Sequence, residues 1–596
     1  MILNIIYLYK ERGNMSKNDF NKAQKFDDIK GIIYNSAMLY PNNIAFVIKE
    51  KNENDNDEKN NLKVCYRNIT YKNLLDDVNA FGSALYDMGM QDKRIAIFGR
   101  NKYEWVIAHL SNLLGSIVSV PLDKELQFDE LEVSLIRSQA DAIVFDEKYI
   151  DLFEKIKQNG KTNIKQYICM SKHDGYKDVE SLVNNGYDLI KNGHNEFIQN
   201  KIDPDKMAIL LFTSGTTSKA KAVMLSQRGI AINVYDMQLV ESFYPTDVNI
   251  AFLPFHHIFG STCIIVMLAY GVKTVFYDGL KYIKKNLREY GVTVFVAVPI
   301  LLEKMYESIE KEIKKEKKYF AFKTALVISK ILLFFGIDVR RKLFKEVIDG
   351  FGGSIRFIIS GGAALSSDIA YKFNSFGIHM VQGYGLTETS PVIAAENDKY
   401  LRQGSVGFPM KDDDIKIIDK DKDEIGQIIV KGPNVMLGYY NDPEKTQEVL
   451  KNGYFYTGDL GYIDKDGFLY VTGRKKDMIV LKNGKKVFPE EIESMINKLD
   501  GVKESFVFAL PKTNKDEDYL LSVKIVYYVD KVQKIYGDVD ENKLYDIMWK
   551  NIKLLNLKLP NYKHIKKLIL TDKDLIKTST QKIKRQEEIK TIENGV

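Results

Sequence analysis

Residues 212–226 read FTSGTTSKAKAVMLS, and the apolar run Met-Ala-Ile-Leu-Leu-Phe at 207–212 leads into them. Six of the fifteen residues are Ser or Thr, the only glycine is Gly215, and Lys219 and Lys221 follow. A buried strand that opens into hydroxyls and lysines is a plausible cradle for a phosphate chain, since turning backbone amides and hydroxyls both donate to phosphate oxygens. The stretch departs from the common phosphate loop GxxxxGK[ST]. Lys221 stands where that lysine belongs, but Ala220 replaces the second glycine and Ala222 the metal-binding hydroxyl. Any metal must therefore be held by other residues.

Working outward, apolar strand-like runs alternate with helix-like stretches: 94–98 and 142–145 as strands, 70–88 with apolar residues at helical spacing. Strand-then-glycine units recur at 293–298 and at 355–359, the latter before Ser360-Gly361-Gly362. Such alternation predicts layered α/β structure with ligands at the strand ends. After about residue 410 the texture changes. Short runs at 427–430, 468–471 and 522–528 are separated by charged turns, and Asp464-Lys465-Asp466-Gly467 reads as a hairpin. Beyond 476, strands and two helix candidates predict a small α+β domain. The polar segment 51–62 reads as a hairpin tip or loop.

The chain has 596 residues, 45% of them hydrophobic, which predicts two to four domains. Its 86 basic and 80 acidic residues give a net charge of +6, too mild to require a nucleic-acid partner. Cys65, Cys169 and Cys263 are distant and odd in number, so no disulfide framework or CxxC metal site is expected and a reducing cytoplasm is the natural setting. The seven histidines show no metal-ligand spacing, and none is expected to bind a metal. No apolar run is long enough to span a bilayer. Residues 1–14 place apolar residues before charges, the reverse of a secretory signal. We expect them to be a non-native or disordered extension, with Met15 the start.

Further motifs share the chemistry of the first. GYGLTETSP at 383–391 sets an aromatic, two hydroxyls and Glu388 in a glycine turn. YTGDLGYIDKDGFLYVTGRKKD at 456–477 places Asp459 after a turn and Arg474 at a strand end. KTSTQKIKR at 577–585 repeats the hydroxyl-plus-lysine theme. Taken in order, and over roughly residues 25–590, the chain resembles the adenylate-forming superfamily of acyl-CoA synthetases, luciferases and adenylation domains. The resemblance implies an α/β fold: a large N-terminal domain (15–475) of layered α/β subdomains plus a β-rich subdomain, and a small mobile α+β lid (476–596).

It also implies roles. Ser214, Gly215, Thr216 and Thr217 would close on the ATP β- and γ-phosphates with Lys221. Thr213 and Glu388 would hold Mg²⁺, which takes oxygen ligands. Gly361, Gly362, Ala363, Tyr384, Gly385 and Thr387 would form the nucleotide slot. Asp459 and Arg474 would hold the ribose. Lys582 would bridge acid and α-phosphate during adenylation. His257, in LPFHHIFG at 253–260, would line the acyl pocket. Lys476 would be the hinge, and Gly484 would flank the coenzyme A tunnel. Ser218, Ala220, Ala222, Ile576 and Gln581 depart from the family's residues. Residues 303–350 resemble long-chain fatty acyl-CoA synthetases more than acetate or aryl ligases. Their apolar and basic part, 319–341, reads either as a helical pair packed on the main domain or as a surface that meets a membrane interface; the expected setting is the cytoplasm, with peripheral contact at the inner membrane face in the second case. The expected activity is ATP-dependent ligation of a long-chain fatty acid to coenzyme A. Transfer to acyl carrier protein, or a silent adenylate-binding or membrane-surface protein, are the alternatives. Acyl chain length and oligomeric state are not legible.

Overall fold

The computed structural model describes residues 23–56, 62–213, 220–315, 319–363, 365, 367–397, 401–481, 485–511, 519–577 and 583–593. The non-native reading of 1–14 lies outside them.

The run 207–212 becomes the strand Met207–Thr213. It pairs antiparallel with Lys221–Ser226, Thr213 opposite Lys221. The hydroxyl-rich loop thus joins two strands, not a strand and a helix as in the common phosphate loop. Its base is held by Arg137, whose guanidinium donates to the Ala220 carbonyl at 2.8 Å and lies 5.3 Å from the Phe212 ring centroid.

This hairpin, flanked on its outer side by Gly438–Tyr439, belongs to an eight-stranded sheet that continues in parallel through Val118–Leu122, Arg94–Phe98, Ala142–Phe145, Gln166–Cys169 and Lys177–Asp178. A nine-stranded sheet carries a parallel centre, His379–Gly385, Phe357–Ser360, Val294–Ala297, Val248–Ile250, Lys273–Val275 and Ile44–Asn56, with antiparallel pairs at both edges. Of the polar segment 51–62, residues 51–56 and 62 belong to the antiparallel edge pair Ile44–Asn56 with Leu62–Thr70, and residues 57–61 lie outside the described ones.

Both faces of each sheet are covered, which is why these strands read as unbroken apolar runs. Ile95 and Ile97 enter a central core shared with Phe46, Val294 and Phe357, whereas Ala96 and Phe98 face a second core on the outer side. Likewise Phe357 and Ile359 face the central core and Ile358 the opposite one. This is the two-residue alternation of a strand. Helices Tyr71–Asp87, Tyr103–Leu114, Gln227–Val240 and Ile258–Ala269 fill the space between the sheets. Thr70 starts the first of them with a reciprocal capping box to Asn73, satisfying backbone donors that the helix cannot.

A third, five-stranded antiparallel unit contains Asp414–Ile418, Gly426–Lys431, Tyr454–Ile463 and Leu469–Arg474. Asp464 to Gly467 makes the expected turn between the last two. Beyond it, Val502–Pro511, Tyr519–Tyr527 and Lys567–Thr571 form a small sheet with its own apolar core. Four helices accompany these strands, Pro489–Ile496, Val529–Tyr536, Glu541–Asn556 and Arg585–Glu593, where the sequence shows two. Three of the four are only eight or nine residues long, which leaves little sequence in which to read an apolar period. Ion pairs Lys486–Asp421 at 3.0 Å and Lys531–Glu307 at 2.9 Å cross from this unit to the larger part.

The stretch 303–350 is helical: Pro299–Lys315, Tyr319–Phe334, Arg340–Leu343 and Lys345–Gly350. No helix among the described residues is long and apolar enough to cross a membrane.

Helix Val179–Lys191 packs against Tyr71–Asp87 through Gly186, where an added Cβ would lie 1.8 Å from the Ala80 carbonyl oxygen. Gly186→Ala must therefore push the helices apart. It is expected to destabilise by about 1–3 kcal/mol, seen as a lower melting temperature by circular dichroism.

Candidate functional site

The strand ends of the three larger sheets converge on one cleft of about 4350 Å³. Thr213, Lys221, His257, Gly361, Gly362, Ala363, Tyr384, Gly385, Thr387, Glu388, Asp459, Arg474 and Lys476 all line it. Ser214, Gly215, Thr216, Thr217, Gly484 and Lys582 lie outside the described residues.

Asp459 is the electrostatic centre of one wall. It sits in strand Tyr454–Ile463 directly opposite Arg474 of Leu469–Arg474. Its side chain is 4% exposed, and Arg474 Nε approaches Oδ1 at 2.7 Å. Tyr384, from the nine-stranded sheet, donates its hydroxyl to Oδ2 at 2.6 Å. A carboxylate this buried needs such partners. Burial and then the Asp459 charge push the Tyr384 phenol well above its ordinary value, so it remains a donor.

A second set joins residues from three elements. Lys221 donates to the Tyr439 hydroxyl at 3.2 Å, with its ammonium 4.6 Å from the ring centroid. Tyr439 in turn donates to Glu388 Oε1 at 2.9 Å. Burial, then Glu388, raises the Tyr439 phenol, so it too stays protonated. Thr213 Oγ1 lies 3.4 Å from the Lys221 carbonyl, which brings its hydroxyl to the same corner. Tyr439 was not singled out from the sequence. Its signal is Leu437-Gly438-Tyr439-Tyr440, an apolar-glycine-aromatic run whose Gly438–Tyr439 pairs with Lys221–Ser226.

The Lys476 ammonium is lowered by burial, and Arg474 and Lys221 push it further down. Three cations thus share one region, the arrangement a polyanion would answer. Gly362 turns with φ of +81° at the wall, with nothing within 4 Å of where its Cβ would stand, leaving room for a flat ring beside it. Glu388 and Thr213 offer two oxygens to a hard divalent cation, which suits Mg²⁺, because that ion keeps waters and phosphates for its other positions.

His257 occupies the N-cap position of helix Ile258–Ala269, and its ring lies tilted against that of His256, with 4.3 Å between centroids. The histidine singled out from the sequence therefore has a second imidazole beside it, more deeply buried than itself.

Comparison with known proteins follows this geometry. The family model for AMP-binding enzymes matches residues 48–440, and that for the AMP-binding enzyme C-terminal domain matches 476–595. The chain belongs to the AMP-binding enzyme family. Within this family it is similar to long-chain-fatty-acid–CoA ligase 5 of Mus musculus, 30% identical over 473 residues, covering 74% of this chain and 69% of that one. It is also similar to the chloroplastic long-chain-fatty-acid–[acyl-carrier-protein] ligase AEE15 of Arabidopsis thaliana, 27% identical over 505 residues, 71% of this chain and 68% of that one. Among solved structures, ATP-bound MatB from Rhodopseudomonas palustris shares the fold with a TM-score of 0.71, covering 96% of this AMP-binding enzyme and 99% of that chain at 23% identity.

Tyr439→Phe removes the hydroxyl that separates and orients Lys221 and Glu388 while keeping the ring. A lost charge-assisted hydrogen bond of about 1.5 kcal/mol corresponds to roughly a tenfold rise in KM for Mg-ATP. Steady-state kinetics should show that rise with an unchanged melting temperature.

Proposed function

We propose that this AMP-binding enzyme activates a long-chain fatty acid with ATP and transfers the acyl group to coenzyme A. The observation that carries the reading is the Asp459–Arg474–Tyr384 cluster facing the Lys221–Tyr439–Glu388 relay across one cleft: a polyol acceptor on one side, cations and a metal-binding carboxylate on the other. The named function of the similar ligases supports the acid and the thiol.

A carboxylate is a poor electrophile. One of its oxygens attacks the α-phosphorus of ATP, the bond to the β-phosphate oxygen breaks, and pyrophosphate leaves. Anion approaches polyanion, so positive charge must be in place beforehand. Lys221 and Arg474 supply part of it from this chain, and Lys582 is assigned the bridge between the acid and the α-phosphate. Glu388 and Thr213 would hold Mg²⁺, which when bound would supply further positive charge beside the phosphates. Asp459 holds the ribose hydroxyls, and Tyr384 with the Gly361-Gly362-Ala363 turn holds the adenine. The thiol then attacks the acyl carbonyl, AMP leaves, and the thiol proton passes to solvent. Lys476 is assigned the hinge and Gly484 the pantetheine passage. Residues 15–475 form the catalytic body and 476–596 the lid in this proposal.

The helix Tyr319–Phe334 favours a membrane-surface location. Among its residues only Ser329 is buried. Phe320 is 84% exposed, Phe334 68% and the following Phe335 70%. An exposed apolar face of this kind marks an interaction surface, and the exposed Lys323 and Lys330 lie on the same helix, which fits anionic lipid and a fatty acid delivered from it. A protein of the cytoplasm touching the inner membrane face is the setting we propose.

Lys582→Ala is expected to abolish pyrophosphate release from ATP, Mg²⁺ and palmitate yet leave thioester formation from supplied acyl-AMP largely intact. Equal loss of both half-reactions refutes the assigned role. Product analysis with coenzyme A and with acyl carrier protein decides the acceptor, and absence of AMP with any fatty acid refutes the activity. In flotation assays the protein should rise with anionic vesicles, and Phe334→Asp/Phe335→Asp should abolish this. No association of the unaltered protein with either anionic or zwitterionic vesicles refutes the membrane contact.

A further inference from the structure

We infer that Asp123, His256 and His257 form a binding site for a transition-series divalent cation such as Zn²⁺, at the edge of the cleft, whose occupancy withholds the acid from adenylation.

The three residues come from distant parts of the chain. Asp123 follows strand Val118–Leu122 of the eight-stranded sheet, and the histidines precede helix Ile258–Ala269. One ligand atom from each lies within 4.8 Å of the other two. Donors each about 2.0–2.2 Å from a shared Zn²⁺ must lie that close. His256 adds an independent observation. It is 7% exposed, and its Nε2 stands 3.3 Å from Asp123 Oδ1. That nitrogen nevertheless makes no hydrogen bond among the described residues. A buried ring nitrogen that stands beside a carboxylate without a hydrogen bond calls for an explanation. A cation between the two supplies it. The carboxylate is held in place, since Asp123 Oδ1 also accepts from the Glu125 amide at 3.0 Å. Such outer support keeps a ligand oriented. The neighbouring positive charge of Lys124 is answered by Glu125 at 3.1 Å.

Two imidazoles and one carboxylate are a nitrogen-rich set. That selects Zn²⁺ or Co²⁺ over Mg²⁺, which prefers oxygens, so the site does not compete for the ion at Glu388. Three protein ligands leave one coordination position open, and all three residues line the cleft. A fatty-acid carboxylate drawn to that position is held there and withheld from the α-phosphate. This regulatory consequence rests on the proposed ligase function; the binding of the cation does not.

The test starts with full-length, metal-stripped protein titrated with Co²⁺ in the absence of nucleotide and acid. One equivalent should produce the visible ligand-field bands of a tetrahedral ion. Asp123→Asn and His256→Gln should each weaken binding on the order of tenfold or more. His256→Cys should retain binding and add a sulfur-to-metal charge-transfer band, which separates a lost ligand from a lost fold. Absence of tetrahedral bands, or binding unaltered by these substitutions, overturns the site. With excess Mg²⁺ present, Zn²⁺ should raise KM for the fatty acid in the unaltered enzyme and not in Asp123→Asn. Equal Zn²⁺ sensitivity of the two, or none in either, overturns the regulatory role. An inactive enzyme that still shows the Co²⁺ bands would instead indict the ligase reading.

Discussion

A carboxylate buried in a sheet is affordable only where its partners are fixed, and Asp459 has that arrangement. Its strand partner Arg474 is set by antiparallel register, and Tyr384 reaches it from a different sheet. The pair therefore ties the five-stranded unit to the nine-stranded one at the point where the cleft begins. Removing either partner would leave a charge or a phenol unsatisfied in a region of low solvent access, where such groups are costly. The residues that shape this wall of the cleft thus also hold it in place.

The opposite wall uses a neutral group to manage two charges. Tyr439 stands between Lys221 and Glu388, accepting from one and donating to the other. A direct ion pair between them would neutralise both and leave less field for a phosphate chain and its cation. The phenol spaces them while keeping each oriented. Its position depends on the short pairing of Gly438–Tyr439 with Lys221–Ser226, which closes the edge of the eight-stranded sheet. A small piece of edge structure therefore sets the charge pattern of the site.

Much of this was legible in the residues. The apolar runs at 94–98, 142–145, 293–298 and 355–359 appear as strands close to their expected bounds because both faces of each sheet are covered, which makes the pattern continuous. The motifs around Glu388, Asp459 and Arg474 announced polar groups at turns and strand ends, and thirteen of the expected positions line the cleft. Register was not legible. Nothing in the sequence tells that Arg474 lies across from Asp459 and not beside it. Tyr439 escaped notice because a tyrosine in a Gly-Tyr-Tyr run is ordinary until its neighbour across the strand is known. The adjacency of Asp123 to His256 is likewise a product of topology, since they stand 133 positions apart in the sequence. The exposed side of 319–334 was ambiguous, because an apolar helix reads the same whether it is packed or bare.

The small C-terminal sheet keeps its apolar core to itself. The named bonds that reach from it to the body include Lys486–Asp421 and Lys531–Glu307, both partly open to water. Ion pairs in that setting are worth about 0–1 kcal/mol each and weaken as salt rises. Such tethers resist shear poorly: they can be exchanged for water and for other partners at little net cost. A body joined to its neighbour in this way can be re-seated by thermal motion, with ionic strength acting as the throttle.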